Sequence, residues 1–314
     1  MPVSLLVYDS SLRIIPTEVI KFPGGEPHVK ITGQRELFYA KRAIVDCRFK
    51  SNDDLMATIA LTDAARRIGI KDIGLFIPYF PGARQDRVKN FSGEALTCKI
   101  YADIINSQGY EAVWVVDPHS DVTPALLNNA KVITQKEILE SRLGRYDGII
   151  SPDAGSRKKC EDIAEACGLK IYYGAKHRDM ATGKLSHFSC EELPLRDIVY
   201  KRDVLDKQVS PPHDGYTLDE GGRSWSRKTE YIVLDDICDG GGTFIGLKEA
   251  IENQESAIDL FVTHGIFSKG TEELSKNYRK IITTDSVIDD SSLIPGYKSN
   301  LEIINLHNVL RGRL

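Results

Sequence analysis

A group of acidic, glycine and threonine residues around position 240 could bind a phosphorylated ligand. In the segment YIVLDDICDGGGT, an apolar run precedes Asp235, Asp236, Asp239, Gly240, Gly241, Gly242 and Thr243. Glycines let backbone N–H groups turn toward one point, and the N-terminus of a following helix adds partial positive charge. That geometry suits a phosphate dianion, whereas the aspartates suit sugar hydroxyls or a bridging metal. The segment therefore predicts a site for a sugar phosphate.

The spacing of these glycines disfavours two other nucleotide-binding loops. The chain lacks the GxxxxGK[ST] pattern of Walker-type NTPases, and the glycines of GGGTFIG do not have the GxGxxG spacing of dinucleotide-binding loops. The remaining alternative is a strand–turn–helix connection whose glycines only serve the turn. The aspartates and the apolar run before the glycines favour the binding site over that alternative.

Acidic loops also follow two other apolar runs. VWVVDPHSD contains Asp117, His119 and Asp121, and GIISPDAGS contains Asp153. Ligands of open α/β sheets bind at the carboxyl ends of strands, so these loops and the glycine loop should converge on one cleft. A lone histidine is more often structural than catalytic, but the position of His119 at a strand end between two aspartates favours a functional role.

Basic residues in two segments could contact phosphate groups. An apolar run and a turn containing proline and glycine precede Arg84, Gln85, Asp86 and Arg87. Two guanidiniums at a strand end suit bidentate phosphate contacts, with a solvated turn as the alternative. Lys176 and Arg178 follow the predicted strand Lys170–Tyr173. On local evidence alone, this basic cluster would be a solvated face.

The elements that must position these residues alternate between strand and helix. Short β-branched runs separated by amphipathic helical patterns predict an α/β fold with a mostly parallel sheet. The predicted strands are Ser4–Tyr8, Ala43–Cys47, Ile73–Ile77, Ala112–Val116, Gly148–Ser151, Lys170–Tyr173, Tyr231–Leu234, Ala257–Val262 and Lys280–Thr283.

Two helices are predicted to pack on the core of this fold. The first begins after Ser51 with Asn52 as its cap, and its inward positions are Leu55, Ile59, Leu61, Ala65 and Ile68. The second spans Gly93–Asn106, and its inward positions are Leu96, Ile100, Ile104 and Ile105.

Length and composition are those of an ordinary globular protein. A chain of 314 residues favours two domains of about 150 residues each. The polar segment Asp203–Lys228, rich in proline and glycine, is predicted to be a long mobile loop. It could be either a lid over a binding site or a disordered connector. With 45 acids against 41 bases, no strong positive field would attract nucleic acid. The cysteines lack the spacing of a metal site, and no apolar run is long enough for a membrane span or a signal peptide. These features predict a cytoplasmic protein.

The glycine-rich segment resembles the ribose-phosphate signature of two families, the type I phosphoribosyltransferases and the ribose-phosphate pyrophosphokinases. The stretch PYFPGARQDRVKNFSGEALTCKIYADIINSQGY and the following VWVVDPHSD resemble the ATP-binding region of the pyrophosphokinases, which simple phosphoribosyltransferases lack. Further similar segments are FPGGEPHVKI, NDDLMATIALTDAARR, SPDAGSRKK, KHRDMATGKLS and THGIFSKG. The resemblance to the pyrophosphokinases covers nearly the whole chain, with Asp203–Lys228 as the main unmatched segment.

This resemblance implies a fold and a reaction. The fold would be α/β with two phosphoribosyltransferase-like domains, each a mostly parallel sheet flanked by helices. Residues 1–138 would bind ATP, with residues 298–314 free to pack back on them, and residues 139–297 would bind ribose 5-phosphate. The enzyme would transfer the diphosphoryl group of MgATP to the C1 hydroxyl of ribose 5-phosphate, giving 5-phosphoribosyl 1-pyrophosphate and AMP. Relatives generally form dimers that group into hexamers, so a homo-oligomer is expected.

The resemblance also implies a role for each candidate residue. Arg84, Gln85, Asp86 and Arg87 would bind ATP, together with Phe22 and Glu26 at the adenine. His119 would contact the metal–triphosphate end of ATP, and Asp153 would meet the ribose and its Mg²⁺. Lys176 and Arg178 would lie on a flexible catalytic arm over the reacting phosphates. The loop from Asp235 to Thr243 would hold ribose 5-phosphate.

The sequence departs from the family pattern at two positions, and two rival functions are considered. Gly24 replaces an acidic residue of the family pattern, so adenine selectivity needs measurement, and Gly240 stands where threonine is common.

One rival is a phosphoribosyltransferase that consumes the activated sugar, which would have no use for Arg84, Arg87 and His119. The other is a noncatalytic regulatory homologue, against which retention of the candidate site residues argues.

Overall fold

The structure is a computed structural model of the chain. It describes residues 3–8, 12–33, 37, 40, 42–88, 92–178, 185–193, 197–201, 217–218, 224–251, 257–288 and 300–314. No helix within these ranges combines the length and the apolar character that crossing a bilayer requires.

The first half of the described chain is built on a mixed sheet. Its order is β2 (Leu12–Ile15), β1 (Val3–Tyr8), β5 (Arg42–Cys47), β6 (Asp72–Phe76), β7 (Val113–Val116) and β8 (Ala130–Ile133). The pairs from β5 to β8 are parallel, whereas β1 pairs antiparallel with both β2 and β5. A separate antiparallel hairpin joins β3 (Thr17–Lys21) to β4 (Pro27–Ile31).

The second half is built on a larger and more uniformly parallel sheet. Its order is β11 (Leu185–Cys190), β10 (Lys170–Arg178), β9 (Gly148–Ser151), β15 (Glu230–Cys238), β16 (Ala257–Gly265), β17 (Lys280–Thr284) and β18 (Leu301–Ile304). Only the β10–β11 pair of this described sheet is antiparallel. A small antiparallel sheet contains β12 (Asp197–Lys201), β14 (Ser224–Lys228) and β13 (Thr217–Leu218).

Helices cover both faces of the two large sheets. Their bounds are α1 (Asn52–Arg67), α2 (Thr97–Asn106), α3 (Val122–Leu126), α4 (Gln135–Leu143), α5 (Arg157–Cys167), α6 (Gly242–Ala250), α7 (Glu272–Asn277) and α8 (Leu306–Arg311). Helices α1 and α2 pack on the outer face of the first sheet, and α6 and α7 pack on the outer face of the second. Helices α4, α5 and α8 form a middle layer whose apolar side chains contact both sheets.

Alternation along the strands explains this five-layer arrangement, because successive side chains of a strand point to opposite faces. In β5, Val45 packs in the outer core with α1 and α2, while Ile44 packs in the middle core. In β15, Val233 packs in the outer core with α6, while Leu234 packs in the middle core. Both sheets therefore bury one face against the same helices, and the α/β fold class with mostly parallel sheets is confirmed.

All nine strands predicted from the sequence are present, but several are longer. Strand β15 continues through Cys238, so Asp235 and Asp236 lie within it and not in a loop after Leu234. Strand β10 continues through Arg178, so the basic cluster expected after Tyr173 also lies within a strand. The backbone pairing of Asp235 with Val262 and of Lys176 with Phe188 explains both extensions. Nine described strands had no predicted counterpart: β2, β3, β4, β8, β11, β12, β13, β14 and β18.

The two predicted helices needed correction at their ends and faces. Ser51, not Asn52, is the N-cap of α1, because Asp54 Oδ2 accepts from the Ser51 N–H at 2.7 Å. Ile68 lies at the C-cap and is exposed. Helix α2 begins at Thr97, not Gly93; its buried positions are Cys98, Ala102 and Ile105, while Ile100 and Ile104 face solvent.

The segment Asp203–Lys228 is not irregular throughout. Strands β13 and β14 lie within it and pair with each other, which the polar composition of the segment concealed. Residues 202–216 and 219–223 lie outside the described part of the chain. The prediction of a mobile lid therefore concerns residues that the structure does not describe.

The C-terminal residues contact both halves. Strand β18 extends the second sheet beside β17, whereas His307 Nε2 lies 2.6 Å from Asp46 Oδ2 of the first. Arg48 at the end of β5 also donates to the Asp285 carboxylate at 2.9 Å. The expected domain boundary after residue 138 stays a prediction, and these contacts show that the halves are closely joined.

Candidate active site

A cavity of about 420 Å³ opens at the carboxyl ends of the parallel strands, where both halves of the chain meet. The second half supplies most of its lining, and Arg84 and His119 come from loops after β6 and β7 of the first half. Its other lining residues include Asp153, Lys159, Lys176, Asp235, Asp236, Asp239, Gly240, Gly241, Gly242 and Thr243. The expected convergence of the three acidic loops on one cleft is thus observed, and the volume is that of a small-molecule site.

The glycine-rich loop has the backbone geometry of an anion site. Gly241 has φ +77° and lies at the N-cap of α6, a left-handed conformation that residues with a Cβ rarely adopt. The first N–H groups of a helix have no intrahelical acceptor, and here Gly242 and Thr243 line the cavity. Gly246, one turn later, gives room to Phe188 of β11, since a Cβ there would lie 2.3 Å from its ring.

Lys176 of β10 reaches this loop from the side. Its Nζ donates to Thr243 Oγ1 at 3.1 Å, and both residues line the cavity. The contact places a cation beside the N-terminus of α6, where the positive end of the helix dipole would also attract phosphate oxygens. The backbone of Arg178 lies two residues further along β10, but its side chain lies outside the described part of the structure.

Two adjacent carboxylates of the cavity, Asp235 and Asp236, have pKa values shifted in opposite directions. Burial raises the pKa of Asp235 well above its ordinary value, and the neighbouring charges of Asp236 and Asp153 raise it further. Burial also opposes ionisation of Asp236, but the hydrogen bond from His119 and the charge of Lys159 outweigh it and lower the pKa of Asp236 to about 2. The cavity therefore contains one ionised carboxylate beside one that favours its proton.

His119 and Asp236 form a hydrogen-bonded pair across the two halves. His119 Nδ1 lies 2.7 Å from Asp236 Oδ2, and this contact raises the pKa of His119 despite partial burial. Since Nδ1 faces Asp236, Nε2 is the ring nitrogen available to a ligand. Asp236 consequently orients His119, a role beyond the ribose contact that the resemblance implied.

A polar network beneath the cavity was missed from the sequence. Lys159 Nζ donates to Asp117 Oδ1 and to the Pro118 carbonyl, each at 2.8 Å, and lies 3.8 Å from Asp236 Oδ2. Asp117 Oδ2 also accepts from Thr263 Oγ1 at 2.5 Å. Asp117 has φ +39°, so these bonds hold a strained turn directly before His119.

One sequence signal could have identified Lys159. It lies four residues before Ile163, which is buried in the middle core, so the two share the inward face of α5. A lysine on an apolar helix face requires a buried acceptor. The sequence alone does not reveal that the acceptor is Asp117 of the other half.

The residues around Asp235 also suit a Mg²⁺ ion. In the described part of the chain, no group of three or more His, Cys, Asp or Glu side chains is arranged to hold a metal without help. Mg²⁺ is commonly bound by one or two carboxylates, with substrate phosphates and water completing its shell. Burial, and after it the charges of Asp236 and Asp153, raise the pKa of Asp235, and a nearby divalent cation would favour its ionised form. Asp153 and His119, the predicted metal residues, line the same cavity.

The predicted ATP residues divide into two groups. Arg84 lines the cavity, and its Nη1 donates to Asp239 Oδ2 at 3.2 Å. Asp86 is buried and accepts a hydrogen bond from Ser120 Oγ at 2.5 Å, so it holds the turn after His119. Outside the lining of this cavity lie Phe22, Glu26, Gln85 and Arg87. Phe22 and Glu26 lie at the turn of the β3–β4 hairpin.

We expect the His119–Asp236 pair to make stability depend on pH. The folded pKa of His119 is raised, so its contribution is complete below the unfolded value near 6.5 and is lost as pH rises through the folded value. Urea unfolding of the wild type and of His119→Gln at about pH 6 and about pH 9 measures this contribution. The difference in the free energy of unfolding between the two proteins should become measurably smaller at the higher pH, by up to about 1 kcal/mol, because the imidazole is partly exposed. A gap that does not change would exclude an ionic His119–Asp236 interaction.

The chain is similar in sequence to known ribose-phosphate pyrophosphokinases and in fold to a solved phosphoribosylpyrophosphate synthetase. Residues 6–109 match the family model of the N-terminal domain of ribose phosphate pyrophosphokinase. The chain is 28% identical over 308 residues to a ribose-phosphate pyrophosphokinase of Pyrococcus furiosus, covering 93% of this chain and 92% of that protein. It is 26% identical over 301 residues to the Thermococcus kodakarensis protein of the same name, covering 91% and 92%. The solved phosphoribosylpyrophosphate synthetase of Mycobacterium smegmatis shares the fold, with a TM-score of 0.68, 18% identity and coverage of 96% of this chain and 89% of that one.

Proposed function

Because this chain belongs to the ribose-phosphate pyrophosphokinase family, we propose that it transfers the diphosphoryl group of MgATP to ribose 5-phosphate. One observation supports the proposal above others: the glycine-rich loop and the acidic cluster of the second half share a cavity with Arg84 and His119 of the first. A site for a sugar phosphate and cations suited to a triphosphate therefore meet at one place.

The sugar phosphate occupies the second half of the cavity in this proposal. Its phosphate accepts hydrogen bonds from the backbone of Gly240–Thr243, where the N-terminus of α6 adds positive potential. Its hydroxyls bond to Asp235 and Asp236, whose carboxylates line the cavity before the glycines. The oxygens of both carboxylates can accept hydrogen bonds from hydroxyl groups, which suits a vicinal diol.

The nucleotide approaches from the first half. Arg84 offers a planar guanidinium suited to phosphate oxygens, and it would exchange its contact with Asp239 for them. His119, oriented through Nδ1, presents Nε2 to the triphosphate. Mg²⁺ held by Asp153 and His119 would neutralise charge on the phosphates.

The reaction then needs alignment more than covalent participation by the protein. The C1 hydroxyl oxygen of the sugar bonds to the β-phosphorus and releases its proton, while the bond from the β-phosphorus to the oxygen of the α-phosphate breaks and AMP leaves. Charge spreads over phosphoryl oxygens in such a transition state, so positioned cations provide most of the catalysis. Lys176 is placed for this role by its contact with Thr243. Arg178 is proposed to share it.

The position of Phe22 and Glu26 bears on the assembly. They lie at the turn of a two-stranded hairpin and do not line the cavity of the same chain. If they bind adenine, the hairpin must move or must serve the cavity of a second copy. We therefore also propose a homo-oligomer.

The test is incubation with ribose 5-phosphate, Mg²⁺ and a panel of nucleoside triphosphates, followed by quantification of the products. We expect AMP and 5-phosphoribosyl 1-pyrophosphate in equal amounts, dependent on both substrates. Comparison across the panel measures the effect of Gly24 on nucleotide selectivity. ADP as the product would indicate transfer of one phosphoryl group, and absence of turnover would favour a noncatalytic homologue. Consumption of 5-phosphoribosyl 1-pyrophosphate with a base, without ATP, would indicate a phosphoribosyltransferase.

A further inference from the structure

The turn after β16 is fastened to the glycine-rich loop. The N–H groups of Ile266 and Phe267 donate to the Cys238 carbonyl at 2.9 and 3.1 Å, and the N–H of Ser268 donates to the Asp239 carbonyl at 3.1 Å. The ring of Phe267 is buried and anchors the turn in the outer core. The backbone of the next residue, Lys269, is therefore held at a defined place beside the loop.

The side chain of Lys269 covers the open face of Gly240. A Cβ built on Gly240 would lie 3.4 Å from Lys269 Cε, 3.5 Å from Cδ and 3.8 Å from Cγ. These are ordinary van der Waals distances, so the lysine stem follows the space that a side chain at position 240 would occupy. Gly240 itself lines the cavity and provides no side-chain donor.

The charge of Lys269 lies close to Asp239, which directly precedes the three glycines. A hydrogen bond from Ser268 is the main cause of the lowered pKa of Asp239, and the charges of Arg84 and Lys269 lower it further. Ionised Asp239 next to a phosphate site is electrostatically unfavourable for the phosphate, because like charges repel. A cation at this end of the loop offsets that repulsion.

Cations would then flank the glycine-rich loop at both ends. Lys176 contacts Thr243 at its C-terminal end, and Lys269 lies against Gly240 at its N-terminal end. Backbone N–H groups provide directional hydrogen bonds but carry no net charge, whereas a phosphate monoester is a dianion. Lysine is a common phosphate ligand that acts as a point charge on a flexible stem.

We propose that Lys269 is a binding residue for the phosphate of the sugar substrate and provides, at the Gly240 end of the loop, the side-chain donor that Gly240 lacks. This inference rests on the proposed function, since it assigns the sugar phosphate to the same loop. It adds a residue from the turn after β16, outside the set predicted from the sequence.

The test is Lys269→Met, which keeps the stem and removes the charge. We expect the dissociation constant of ribose 5-phosphate, measured by calorimetry, to rise about tenfold, the size of one lost charge-assisted hydrogen bond. The affinity for ribose, which has no phosphate, and the KM for ATP should each stay within about twofold. Lys276→Met is the matched control, because Lys276 is an exposed lysine of α7 that pairs with Glu273. It should leave all three quantities unchanged.

Two further variants separate the phosphate contact from general effects on the loop. Lys269→Arg should retain most of the affinity because it keeps the charge. Adding Gly240→Ser to Lys269→Met should recover part of the lost affinity, since the three atoms nearest to a Cβ built at Gly240 all belong to the lysine stem, at ordinary contact distances, and the serine adds a hydroxyl donor.

The outcomes distinguish this inference from the proposed function. Lys269 is not a phosphate ligand if Lys269→Met lowers the affinities for ribose and ribose 5-phosphate equally, or changes neither affinity. The same conclusion follows if Lys269→Met behaves like Lys276→Met. AMP formation by the wild type would leave the proposed function standing in those cases. Failure of the wild type to bind ribose 5-phosphate would overturn both.

Discussion

Replacing Lys176 with alanine is expected to lower kcat by about 10²- to 10³-fold, the usual effect of losing one preorganised contact to developing charge. Lys176 Nζ donates to Thr243 Oγ1 and lines the cavity, so under the proposed function its charge would lie between the phosphate of the sugar and the triphosphate. The KM values for both substrates should change much less, because the loop backbone and the carboxylates that bind the sugar remain. Steady-state kinetics of AMP release with each substrate varied in turn measures both quantities.

Lys170→Ala is the matched control for this variant. Lys170 begins the same strand, is exposed and is absent from the lining of the cavity. It should retain wild-type kcat. A Lys176→Ala protein that kept most of its turnover, or that lost only ribose 5-phosphate affinity, would contradict the catalytic role of Lys176.

Replacing Lys159 with methionine should have the largest effect on stability. Its ammonium bonds to Asp117 and to the Pro118 carbonyl, and the Asp117 side chain is only 4% exposed. Removal of Lys159 leaves the buried Asp117 carboxylate with a neutral donor, Thr263 Oγ1, but without its counter-ion, so the free energy of unfolding should fall by about 2–4 kcal/mol. Turnover should also fall, because the turn that carries His119 loses two of its bonds. Urea denaturation and AMP release measure the two effects.

Two comparisons isolate the ion pair. Lys158→Met removes an exposed lysine from the neighbouring position of α5 and should cost little. Combining Lys159→Met with Asp117→Asn removes both charges and should recover part of the lost stability, since the interaction energy of a direct pair is shared by its members. If Lys159→Met were as stable as Lys158→Met, the Lys159–Asp117 contact would have no structural importance.

The local pattern of apolar residues in the sequence predicted the strands that are buried on both faces. Val45 and Val233 lie in apolar runs that continue through the sheet, and such runs are visible in the sequence. The same pattern placed Asp153, His119 and Asp236 near the carboxyl ends of strands, where ligands of α/β sheets bind, so their convergence on one cleft could be expected. Strand β15 was predicted too short because its last residues are polar on the cavity side, where function and not burial selects the side chains.

Features that depend on tertiary packing could not be predicted in this way. Ile100 and Ile104 of α2 follow a helical apolar pattern, but the smaller Cys98 and Ala102 face the core. Small residues allow close packing that hydrophobicity alone does not indicate. The contact of Lys159 with Asp117 and that of Lys269 with Gly240 both join residues that are distant in sequence. Only the fold brings them together.

The middle layer of helices limits how substrates can reach the cavity. Leu139 of α4, Ile163 of α5 and Leu310 of α8 are buried between the two sheets. A hinge motion that separated the sheets would bring these side chains into water, at a cost of about 25 cal/mol for each Å² exposed. The relative position of the two sheets, and with it the shape of the cavity where both halves meet, is thus set when the protein folds. In the proposed reaction, ATP must therefore enter and product must leave without any separation of the two sheets.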